Sequence, residues 1–172
     1  MSRAVEVVRT YLELRSPGQL RVAGAADSSV RFILRRDIDT EHYRRLYRDV
    51  GRRWHWRDRD AWSDEMLAAH LSRSDVSIWE CLVGGESAGY FELEHSGDSV
   101  EIAYFGLAPA FIGRGLGKAM LAHAVQEAFA IGPSRVWLHT CTLDSPRALP
   151  NYLARGFTPT RRERYVAELT DD

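Results

Sequence analysis

The sequence predicts an α+β fold: a mixed, mostly antiparallel central sheet flanked by helices. Three observations carry that expectation. Two turn signals, Gly84-Gly85 and Ser96-Gly97-Asp98, separate strand-like runs and mark consecutive hairpins. Two stretches with helical spacing of apolar residues precede those hairpins, and two more alternate with strands after them. From residue 30 the order is therefore β-α-α-β-β-β-α-β-α-β. That order mixes hairpins with helical crossovers, unlike a doubly wound parallel sheet.

Each element has a local reason. Val5 to Leu14 reads as a β-type stretch, and a soft boundary follows from Ser16-Pro17-Gly18 through Ala23-Gly24-Ala25-Ala26-Asp27-Ser28-Ser29. Residues 1–29 are thus expected as an N-terminal extension, an extra strand packed on a domain of residues 30–172. Val30 to Leu34 is the next strand. A helix opens at Asp39 or Thr40, places Tyr43, Leu46, Tyr47 and Val50 on one face, and ends at Gly51. A second is expected from about Asp60 to Leu71, with Trp62, Met66 and Ala69 on one face. Strands Val76 to Val83, Ala88 to Glu94 and Ser99 to Leu107 follow. In the last of these Glu101 is the charged residue on an otherwise apolar face. A long helix carries the stripe Leu121, Ala124, Val125, Ala128 and stops at Gly132-Pro133. Strand Arg135 to Thr140, helix Ser145 to Arg155 closed by Gly156, and strand Tyr165 to Leu169 complete the chain.

Composition bounds the function. The 172 residues are 45% hydrophobic and 27% charged, the balance of a globular protein with its own core. Lys plus Arg (23) nearly cancels Asp plus Glu (24), so no global field points to nucleic acid or to an acidic membrane. The N-terminus has no signal-peptide run, and no stretch approaches the roughly 20 apolar residues that span a bilayer. A cytoplasmic enzyme is the expectation. Cys81 and Cys141 have neither metal-ligand spacing nor disulfide density, so no metal is expected, and Cys141 reads first as a buried thiol.

The most informative stretch is Gly113-Arg114-Gly115-Leu116-Gly117-Lys118, between the strand ending Leu107-Ala108-Pro109 and the long helix. The first turn of a helix leaves N–H groups without intrahelical partners, and the helix dipole adds positive potential there. Glycines let backbone approach an anion closely, so the segment suits a phosphate. Two common nucleotide motifs do not fit. Ala119 stands where a P-loop needs Ser or Thr, and glycines at 113, 115 and 117 do not match the dinucleotide fingerprint.

The same stretch resembles the cofactor motif of the GNAT acetyltransferase superfamily, (Gln/Arg)-x-x-Gly-x-(Gly/Ala), which follows a strand ending in Pro. A second segment is similar too: Ser145, Ala148, Tyr152 and Gly156-Phe157 stand at the steps of the family's last helix. The resemblance covers about Val30 to Leu169. Ile112 replaces the family's Gln or Arg, and Ser145 its usual Asn. Pro150 falls inside the expected helix, where it would cost about 3 kcal/mol.

That resemblance implies a sheet splayed at the cofactor-binding strand, acetyl-CoA as co-substrate, and transfer to a primary amine by direct attack in a ternary complex. It implies cofactor contacts from Leu107, Ala108, Ile112, Gly113, Arg114, Gly115, Leu116, Gly117, Lys118, Ser145 and Tyr152. Glu101 is the candidate general base and Tyr152 the candidate acid for the departing thiolate. A backbone N–H near Leu107 would polarise the thioester carbonyl. On the acceptor side Trp54, Trp56 and Glu92 are candidates, the aromatics through cation–π attraction. Glu94 and His139 are further candidates, solvated and core-packed respectively in the simpler reading. The acceptor is a small-molecule amine or a peptide amine, and a homodimer is among the assemblies open to the chain. A non-catalytic acyl-CoA-binding module is the alternative.

Overall fold

The computed structural model describes residues 1–22, 24 and 27–170; Ala23, Ala25 and Ala26 of the soft boundary lie outside the described residues. Seven strands form one sheet in the order β2-β3-β4-β5-β6-β1-β7. They are β1 (Ser2–Leu14), β2 (Val30–Leu34), β3 (Val76–Val83), β4 (Glu86–Ser96), β5 (Ser99–Leu107), β6 (Arg135–Cys141) and β7 (Thr158–Thr170). All neighbours are antiparallel except β5 and β6. That parallel pair is short. It joins Ser99 to Arg135, Val100 to Val136 and Glu101 to Trp137, and then the two strands part. The sheet is α+β, mixed and splayed at β5.

β1, from the N-terminal stretch expected as an extra strand, lies inside the sheet between β6 and β7, paired on both edges. The final strand is longer than its local pattern suggested, because β1 supplies a ladder along most of β7. Ladder hydrogen bonds satisfy backbone groups whatever the side-chain alternation.

Helices α1 (Thr40–Gly51) and α2 (Asp64–Leu71) cover one face of the sheet, and α3 (Leu116–Ala130) and α4 (Ala148–Ala154) cover the other. Asp39 caps α1 by accepting from the His42 N–H at 2.7 Å, and Tyr43, Leu46, Tyr47 and Val50 are buried as their spacing required. α2 departs from expectation. It starts at Asp64 behind the cap Ser63, and buries Leu67, His70 and Leu71, while Met66 is 54% exposed. The residues before Ser63 are held instead in a loop by an ion-pair cluster described below. α4 is also shorter, so Pro150 is its third residue. An N–H in the first turn has no intrahelical acceptor, so the expected penalty does not arise.

A bulge in β5 resolves the puzzle of Glu101. Glu92 faces Tyr104 while Leu93 faces Ile102, which leaves Ala103 as an extra residue. Side chains change faces across it. Val100, Ile102, Phe105 and Leu107 pack with α3, whereas Tyr104 packs with α1. The apolar face predicted for Glu101, with Phe105 and Leu107, is therefore not its own.

β5 and α1 meet at Gly106. A Cβ there would stand 2.5 Å from Val50 Cγ1. Gly106→Ala is expected to cost about 1–3 kcal/mol through overpacking, read as a lower denaturant midpoint at unchanged slope. An unchanged midpoint would show that α1 can move away freely.

Candidate active site

Where β5 and β6 part, a cavity of about 800 Å³ runs along β5 from the glycine loop to Glu101. Its walls come from the loop, from α4 and the segment before it, from β6, and from the loop between α1 and α2. The cavity exists because β5 has no strand partner on this edge beyond Glu101.

At the loop end, the Ala108 N–H donates to the Ala88 carbonyl at 2.8 Å, so β5 is still tied to β4 as it turns. Buried Phe111 anchors the turn that follows. Gly113 and Gly115 have φ of 85° and 77°, in the left-handed region that favours glycine. Gly115 caps α3 with no side chain to occupy the first-turn N–H groups. Uncapped donors, positive dipole and absent Cβ atoms form a cradle that fits a diphosphate. Gly113, Gly115, Gly117, Lys118 and Ile112 line the cavity, as do Leu107, Ser145 and Tyr152. Ala108, Arg114 and Leu116 do not line it. Leu116 is buried in the core, and the Arg114 guanidinium lies over the Phe111 ring at 5.3 Å.

At the other end, the Glu101 carboxyl is pushed up to about 7, by burial first and then by Glu94 and Glu92, with Arg59 opposing. His139 Nε2 lies 4.0 Å from Glu101 Oε1. His139 is not core-packed; it lines the cavity, and burial together with Arg9 holds its pKa below the usual range. Tyr152 is buried, with its ring edge-on to Phe105 and Phe157 at 6.1 and 6.0 Å. Burial and then Asp144 raise its hydroxyl above the ordinary tyrosine range, so it stays protonated. Burial and then Asp144 also raise the Cys141 thiol, which disfavours the thiolate a nucleophile needs.

Two acceptor candidates, Trp54 and Trp56, line the cavity. Trp56 packs edge-on to Tyr104 at 5.0 Å and sits directly against Gly51, where a Cβ would collide with its ring. Glu92 is different. It is 0% exposed and is held by Arg59 through two hydrogen bonds of 2.6 and 2.7 Å, by Tyr43 at 2.8 Å and by His70 at 3.0 Å. Glu92 is thus a buried structural carboxylate and not an acceptor contact. Burial pushes its pKa up, but the bonds from His70, Arg59 and Tyr43 outweigh that and hold it below the usual range. Arg59 in turn lies 4.5 Å over Tyr104 and 4.8 Å over Trp62, which pins the loop carrying Trp54 and Trp56.

Sequence reasoning missed the pairing of Arg59 with Glu92, 33 residues away, and the polar residues Arg147, Asn151 and Arg155. The last three recur at a four-residue step, a helical stripe that was there to be read.

This geometry meets a family-level match. The model of the acetyltransferase (GNAT) family matches residues 41–157, more than half of the chain. The chain belongs to the GNAT acetyltransferase family. The match runs from α1 to the end of α4 and includes the glycine loop, Glu101 and Tyr152. Among curated relatives, the mycothiol acetyltransferase of Cellulomonas flavigena is 34% identical over 90 residues. That alignment covers 50% of this chain and 25% of the relative, so the chain spans about a quarter of that relative's length. Solved structures share the fold. A GCN5-related N-acetyltransferase from Kribbella flavida superposes at TM-score 0.64 and 19% identity, over 96% of this chain and 58% of that one. An aminoglycoside acetyltransferase from an uncultured soil metagenomic sample, solved with trehalose, gives 0.62 and 16%, over 75% and 88%. Among the described residues no helix is long and apolar enough to cross a membrane.

Proposed function

We propose that this GNAT protein transfers the acetyl group of acetyl-CoA to a primary amine by direct attack within a ternary complex. The observation that carries the reading is one continuous cavity joining a glycine-lined helix N-terminus to a carboxyl group poised near neutral pH. When bound, acetyl-CoA supplies an activated acetyl thioester and a thiolate leaving group. The residues that would hold it are the backbone of Gly113 to Lys118, the unpaired edge of β5 toward Leu107, and the α4 side with Ser145 and Tyr152.

The chain's own groups then divide the proton work. Glu101 takes the proton of an incoming ammonium, which leaves a neutral amine to attack. Its raised proton affinity makes it a stronger base than an exposed carboxylate while it is still ionised in useful amount at pH 7. As the new C–N bond forms and the C–S bond breaks, Tyr152 would donate its phenolic proton to the departing sulfur, and the second proton lost by the amine nitrogen would leave through solvent and restore the phenol. N–H groups near Leu107 would stabilise negative charge on the carbonyl oxygen. Trp54, Trp56 and Tyr104 would form an aromatic wall for the ammonium, next to the carboxylates Glu94 and Asp58.

The test is thiol release from acetyl-CoA across a panel of small amines and peptide N-termini. Release that depends on an amine supports transfer. Binding of CoA without release toward any amine would favour a binding module and sink the enzymatic reading. Tyr152→Phe is expected to lower kcat by about 10²-fold while the Kd for CoA stays within twofold. Unchanged kcat would remove Tyr152 from the proton path.

A further inference from the structure

Two buried arginines line this cavity, and their surroundings are opposite. Arg59 is 6% exposed and its charge is matched by Glu92. Arg155 is 8% exposed, and its Nε and Nη1 are sealed from solvent with no hydrogen-bond partner among the described residues. No carboxylate among the described residues lies within ion-pair distance of it. With two of its three nitrogens withdrawn from water, this guanidinium lacks the counter-charge that buried arginines require, and Nη2, not among the sealed atoms, leaves it open on the cavity side.

Its neighbour has the same defect. Asn151, one helical turn earlier on the cavity side of α4, has Oδ1 sealed without a partner among the described residues. The Asn151 Nδ2 donates weakly, at 3.4 Å, to the carbonyl of Gly117 in the first turn of α3. One turn earlier again, Arg147 lies against Gly113. The three side chains thus form a stripe along α4 and its flanks, beside the glycine loop. Asp144, the acid that opens this segment, is already engaged by Thr140 Oγ1 at 2.7 Å and by the Cys141 N–H at 3.0 Å.

We infer that Arg155 binds a phosphate of the coenzyme, as a basic contact separate from the glycine loop, with Asn151 Oδ1 accepting a hydrogen bond from the same ligand. The inference rests on the reading that this cavity takes acetyl-CoA. The coenzyme offers two phosphate sources, its diphosphate and its 3′-phosphate, and binding measurements separate them.

Calorimetric titration of the full chain with CoA, 3′-dephospho-CoA and pantetheine is the test. Arg155→Gln is expected to weaken CoA binding at least tenfold and leave pantetheine binding unchanged, with partial recovery in Arg155→Lys. A loss confined to CoA identifies the 3′-phosphate; an equal loss for CoA and 3′-dephospho-CoA identifies the diphosphate. CoA binding by Arg155→Gln within twofold of the unaltered chain would overturn the assignment and leave the acetyltransferase reading standing. An unaltered chain that does not bind CoA overturns both. Should Arg155→Gln not fold, Arg155→Met decides. Removing an unpaired buried charge is expected to leave the ligand-free Tm unchanged or higher while the CoA-induced rise in Tm shrinks. A fall in Tm with the CoA-induced rise intact would mark Arg155 as structural only.

Discussion

Replacing Glu101 with Gln is expected to lower kcat by 10²- to 10⁴-fold near pH 7, the range a positioned general base contributes. The unaltered chain should show kcat/KM rising with pH and levelling above about 7, where Glu101 becomes ionised. That limb should vanish in the variant, and the residual activity should follow the free-amine fraction of the acceptor. A second signature separates catalysis from damage. Burial and the nearby carboxylates raise the Glu101 pKa in the folded state, so its stabilising contribution holds at low pH and is lost as pH rises through about 7. At pH 8 the unaltered chain bears the cost of a disfavoured charge, and Glu101→Gln does not. The variant should therefore be less active and more thermally stable. Full activity, or a pH limb that persists near 7, would assign the base elsewhere, with His139 next in line at 4.0 Å from the Glu101 carboxyl.

The second large effect concerns stability. Arg59→Met leaves the fully buried Glu92 without its bidentate partner, and breaking a buried pair from one side costs about 3–5 kcal/mol. For a chain of this size that is a fall in Tm of roughly 10 °C. The pH dependence has a definite sign. Glu92 titrates below the usual range in the folded chain, so its contribution is present at neutral pH and is lost as pH falls through that lowered value. In the variant the carboxyl regains affinity for a proton, which removes the unpaired charge on acidification. The Tm gap between the two proteins should narrow from pH 7 toward pH 4. A gap under about 3 °C at pH 7 would mean that Tyr43 and His70 alone satisfy Glu92. Because Arg59 also stacks on Tyr104 and Trp62, acceptor KM should rise in the folded fraction of the variant.

The contrast between α1 and α2 shows how far local reading reaches. In α1 the cap, the apolar spacing and the closing glycine all agreed, and each acts within a few residues. In α2 the segment from Asp60 looked helical because Trp62 and Met66 share a spacing. Arg59 nevertheless holds that stretch in a loop, through a carboxylate on a strand far along the chain. Pro150 makes the same point in reverse. Its cost depends on where the helix begins, and α4 begins late enough for the missing N–H to go unneeded.

By itself the sequence determined the α+β class, the hairpins, the α1 face, and the strand, glycine loop and helix that carry the proposed phosphate site. These follow from periodicity, turn chemistry and helix ends, all of which act along the chain. Tertiary structure alone decided the bulge at Ala103 that gives Glu101 the face of Tyr104, and the parting of β5 from β6 that opens the cavity. It also decided that Glu92 is consumed by Arg59 while the Arg155 guanidinium has no ion-pair partner among the described residues. The reason is that desolvation and charge pairing act through space between distant residues. The alphabet of a strand names a carboxylate or a guanidinium, and only packing says whether its partner is water, protein or ligand.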